Sequence, residues 1–109
     1  MIRLIQIVPV DGCRLFGKIV KKEIEISRKN RGAFYRSGAK EKNRAKWAHE
    51  RYNGWINIQR ADGEVVTVEI RSRSQAGDEW QLLQAFVGWL DRHFREDIEA
   101  LHVHYRRTR

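Results

Sequence analysis

The sequence has 109 residues, enough for one domain (1–109) with a single modest core and too few for two. Twenty-two lysines and arginines against 14 acids leave a net charge of +8, which favours polyanionic partners. Cys13 is the only cysteine, so an internal disulfide and a cysteine zinc cluster are excluded, and no run approaches the roughly twenty apolar residues of a membrane span.

Met1 to Val10 is apolar at Ile2, Leu4, Ile5, Ile7 and Val8 and reads as a largely buried strand that Pro9 ends or places at an edge. Arg3, Gln6 and Asp11 interrupt the stretch too early for a signal peptide, so the expected location is cytoplasmic. Asp11-Gly12 then marks a turn between two strand-like runs. In the second run, Leu15 to Ser27, Val20, Ile24 and Ile26 share one parity and Lys21, Glu23 and Glu25 the other. That alternation predicts a strand, with Lys22 marking a bulge or an edge; a helix over Lys18 to Arg28 is the weaker competitor.

Lys29 to Asn53 has a different character. Eight cations against Glu41 and Glu50 give these 25 residues +6, most of the net charge of the chain. Phe34, Tyr35, Trp47 and Tyr52 are interleaved with the cations. The segment reads as a mobile loop or, over Ala39 to Tyr52, a short helix bringing Lys40, Arg44 and Trp47 together.

Trp55 to Arg73 predicts a hairpin. Ile56 and Ile58 alternate with Asn57 and Gln59, Val66, Val68 and Ile70 alternate with Thr67, Glu69 and Arg71, and Ala61-Asp62-Gly63-Glu64 supplies the turn. From Asp78 to Asp97 the period becomes helical: Trp80, Leu83, Val87, Leu90 and Phe94 form a stripe that Leu82, Phe86 and Trp89 widen. Ile98 to Arg106 returns to alternation, with Leu101, Val103 and Tyr105 on one face and His102, His104 and Arg106 on the other.

The expected fold is therefore α+β: a mostly antiparallel sheet of four to five strands, in the order ββ–basic segment–ββαβ, with one main helix on one face. Alternation sends Trp55, Asn57, Gln59, Thr67, Glu69, Arg71, Arg73, His102, His104 and Arg106 to the other face. Arginines beside an aromatic side chain on an open sheet can stack bases while following phosphates. The competing expectation is an ordinary solvated face, or one covered by the basic segment through Phe34, Tyr35 or Trp47.

The function expected from these features is a small nucleic-acid-binding module of weak sequence specificity, not an enzyme, binding RNA or DNA and single strands among them. Its expected contacts are Arg36, Lys40, Arg44, Lys46, Trp47, Trp55, Arg71, Arg73, His102 and His104. The alternative is a structural or interaction protein, a homodimer or a module docking an acidic partner, with Leu15 to Ser27 as the pairing edge. A metal-dependent nuclease ranks below both. His102, His104 and Glu69 would be its ligands, or Asp62, Glu69 and Arg71 a degenerate nuclease set, and Asp62 is already explained by its turn. No glycine-framed nucleophile or phosphate-binding loop is present, and no metal or cofactor is expected.

Overall fold

The computed structural model describes residues 2–39, 41–72 and 78–106, the side chains of Ile2 and Arg106 excepted. Its strands are β1 (Ile2–Pro9), β2 (Phe34–Arg36), β3 (Arg44–His49), β4 (Trp55–Arg60), β5 (Val66–Arg71) and β6 (Ile98–Arg106). Helices α1 (Leu15–Arg28) and α2 (Asp78–Phe94) complete the α+β fold. All pairings are antiparallel, in the order β2-β3-β4-β5-β1-β6, so the sheet has one or two strands more than the sequence suggested.

The centre of one face of the sheet is apolar, with Arg3, Arg36, His49 and Arg60 towards its margins. Ile5 and Ile7 lie level with Val68 and Val66, and Ile56, Ile58, Ile70, Ala45 and Trp47 continue the layer; all are buried. Both helices pack on this face, their side chains and those of the sheet forming one continuous core. The expected helix is present, but its buried line runs through Leu82, Leu83, Phe86, Trp89, Leu90 and Phe94. Trp80 stays 38% exposed, so the stripe is rotated towards Leu82 and Phe86 from the one read in the sequence.

Two segments differ from expectation. Leu15 to Ser27 is a helix, not a strand, and Asp11-Gly12 turns into it instead of closing a hairpin. The alternation of Val20, Ile24 and Ile26 is outweighed by Leu15, Phe16, Ile19 and Glu23, whose spacing buries one helical face. Lysines and glutamates in between are good helix formers, and a strand there would leave the sheet beneath α1 uncovered. Within the basic segment the described residues of 39–52 form no helix; Phe34–Arg36 and Arg44–His49 pair as the strands β2 and β3, extended by hydrogen bonds from Ser37 N–H to the Lys46 carbonyl and from Glu50 N–H to the Ala33 carbonyl.

Trp47 is the centre of that hairpin's packing. Its indole lies 5.2 Å from Trp89 and 6.0 Å from Phe86, both at steep angles, and 6.1 Å from Phe34. Near β6, Arg3 lies between Tyr105 and Trp80, 4.1 and 5.1 Å from the ring centroids, and within 3.8 Å of the Glu79 carboxylate. This accounts for a buried glutamate in the first turn of α2.

Candidate nucleic-acid interface

The face opposite the helices is built by strand register. One row runs Lys46, Asn57, Glu69, Leu4, His104, and the next Arg44, Gln59, Thr67, Gln6, His102. Trp55 sits level with Arg71 in the row above, on the side of Lys46. Arg44, Lys46, Gln59, Arg71, Gln6, His102 and His104 are exposed, and Trp55, Asn57, Thr67 and Glu69 are half-buried. Adjacent strands lie about 4.8 Å apart, so a row crosses roughly 19 Å of surface.

Lys46 Nζ stands 5.3 Å from the centroid of the Trp55 ring, a cation–π contact at the edge of the face. Arg71 Nε donates to Glu69 Oε1. Between β3 and β5 the face sinks into a depression of about 430 Å³, floored by Asn57 and Thr67 and rimmed by Arg44, Lys46, Glu41 and Glu69. Amides and hydroxyls here can donate and accept, which suits base edges, while the two carboxylates moderate the positive field.

Of the ten residues expected to bind, six share this face: Arg44, Lys46, Trp55, Arg71, His102 and His104. Trp47 does not. It is 1% exposed in the core, so it has no surface to offer a base and is withdrawn from the site. Arg36 pairs with Trp47 in register and so lies on the helix side, at the β2 edge beside Glu23 and Ser27 of α1. Lys40 and Arg73 lie outside the described residues. Phe34 and Trp47 turn inward and so do not cover the open face, while Glu41 of the same segment borders its depression.

Gln6 and Leu4 were missed as members of the face because β1 reads as apolar on both sides; Gln6, at the parity opposite Ile5 and Ile7, is the signal that one side is open. Tyr35, 50% exposed and level with Ala48, also falls on this side by register.

The metal readings lose their geometry. Glu69 and His104 share a row but Leu4 stands between them, placing them two strand spacings, about 10 Å, apart. Among the described residues no group of three or more His, Cys, Asp or Glu side chains converges on one point. Asp62 occupies a 3-10 turn after β4, away from Glu69.

Two further histidines lie on the helix side. His49 has its pKa lowered from the usual 6.5, mainly by burial and in part by Arg51, with Glu50 opposing; His93 is lowered by burial, then by Lys22 and Arg92. The unfolded chain therefore takes up protons on these rings before the folded protein does. The stability contributed by these two rings is full above 6.5 and is lost as pH drops below it. A melting temperature that declines between pH 7 and 5.5, and declines less in a His49→Gln/His93→Gln variant, is the expected result. A melting temperature that rises over that interval would contradict it.

No family model matches the sequence, and no curated protein or solved structure is detectably similar to it.

Proposed function

We propose that this chain is a nucleic-acid-binding module that holds a single strand across the open sheet face, with weak sequence preference. The observation that carries the reading is the grouping of Trp55, Lys46, Arg44 and Arg71 on a face opposite both helices. A base stacking on Trp55 displaces the exposed Lys46 ammonium, which takes up the adjoining phosphate. Arg44 follows the next phosphate, and Asn57 and Gln59 offer amides to base edges. Arg71, shared with Glu69, contributes less net charge.

Arg44→Gln/Lys46→Gln should weaken binding of a single-stranded oligonucleotide and reduce the slope of log affinity against log salt by up to about two. Both side chains are exposed, so the melting temperature should hold. Unchanged affinity and slope would remove the phosphate role from β3.

A second reading, a homodimer, is favoured by one observation. The edge formed by Leu15 to Ser27 no longer exists, but β6 is a nine-residue edge strand with Val103 and Tyr105 40% and 58% exposed. Long apolar edges pair readily with a second strand. Light scattering of the chain, alone and as Val103→Lys, separates the two: a dimer that becomes a monomer supports pairing through β6.

A further inference from the structure

On the helix side, a groove of about 490 Å³ opens between the end of α1, the start of β2 and the second half of α2. Its wall is a run of aromatic rings. His49 meets Phe34 edge-on at 4.8 Å, Phe34 meets Trp89 at 6.3 Å, and Trp89 meets His93 at 5.1 Å. Ile26 and Ala85 complete the apolar part. The rim carries Lys29, Arg31 and Arg92, and among the described residues no carboxylate lines the groove. The depression on the open face, by contrast, includes Glu41 and Glu69.

The rim is positioned by the end of α1. Backbone N–H groups of Lys29 and Arg31 both donate to the Ile26 carbonyl, and that of Asn30 donates to the Ser27 carbonyl. Gly32, at φ +90°, lets the loop close on α1, since a Cβ there would stand 2.6 Å from Ile26 Cγ2. His49 Nδ1 accepts from the backbone N–H of Arg51 at 3.0 Å and of Tyr52 at 3.4 Å. The neutral ring therefore carries its proton on Nε2, which remains a donor.

We infer that this groove binds a small aromatic anion, a planar ring bearing a carboxylate or phosphate. The ring lies over the edges of Phe34 and Trp89 that reach the groove, each residue being 6% exposed, where edge contacts favour a flat apolar body. Its acidic group meets Arg31, Arg92 and Lys29 at the mouth, with the two imidazoles as neutral donors beside it. The size falls in the range of ordinary ligand pockets. The site lies on the opposite side of the sheet from the open face and stands independently of the nucleic-acid reading.

Three probes test it by NMR titration of the whole chain, followed at the Trp89 indole N–H: naphthalene-2-carboxylate, 2-naphthyl phosphate and the neutral naphthalene-2-methanol. One or both anions should bind at least about tenfold more tightly than the alcohol, because the charge-assisted contacts are made only by them. The tighter of the two identifies the acidic group. Arg31→Gln/Arg92→Gln should remove about tenfold of anion affinity while the melting temperature holds, since both arginines are exposed. Trp55→Ala, on the other face, should leave naphthyl binding unchanged. The inference is overturned if the alcohol binds as tightly as the anions, if the arginine variant binds them normally, or if the Trp89 signal does not move.

Discussion

Trp47→Ala is expected to cost about 3 to 5 kcal/mol of stability, the usual loss when a large buried aromatic is truncated. The indole is 1% exposed and packs against Trp89, Phe86 and Phe34, so its removal opens a cavity where the β2–β3 hairpin meets α2. The cost should show as a shifted midpoint in urea denaturation. A change below about 0.5 kcal/mol, typical of surface sites, would place Trp47 outside the core and return it to the list of binding residues.

Gly54→Ala should destabilise by more than about 2 kcal/mol, because two faults coincide. Gly54 holds φ at +123°, a region that side chains strain to occupy, and a Cβ there would stand 2.2 Å from the Arg71 carbonyl oxygen and 3.2 Å from Leu82 Cδ2. The backbones of β4 and β5 approach at this point, where Trp55 and Arg71 pair. The substitution should therefore loosen the end of the open face that carries the indole, and the Trp55 indole signal should shift with the midpoint. A neutral effect on both would mean that the chain enters β4 by another path.

These two positions also show what the sequence makes legible. The hairpin β4–β5, the helix α2 and the strand β6 announce themselves because their periods are clean: Ile56 and Ile58, Val66 to Ile70, and Leu83 to Phe94 each follow one rule. The sides taken by Trp55, Arg71, His102 and His104 follow directly. Leu15 to Ser27 satisfies two rules at once. Its Val20, Ile24 and Ile26 alternate, but Leu15, Phe16 and Ile19 are helically spaced, and only the uncovered half of the sheet decides between them.

Trp47 misleads for a related reason. Directly after Arg44 and Lys46, it resembles an aromatic set among cations for nucleic acid. In a strand the same neighbours are divided: Arg44 and Lys46 face out, Ala45 and Trp47 face in. Read as a loop or helix, the segment cannot show this division. Arg36 follows Trp47 to the helix side because the two are paired across β2 and β3. The groove beneath α1 and α2 was illegible because its walls, His49, Phe34, Trp89 and His93, come from three separate elements.

The central claim, that Trp55 stacks a base on the open face, is tested most directly by titrating a labelled single-stranded oligonucleotide into the wild-type chain and Trp55→Ala across a range of salt. The account predicts a loss of about 1 to 3 kcal/mol in affinity, with little change in the salt slope, because a stacking surface is removed and no charge. A variant that binds as tightly as wild type, or one that binds weakly only because it has unfolded, would contradict it and move the homodimer reading ahead.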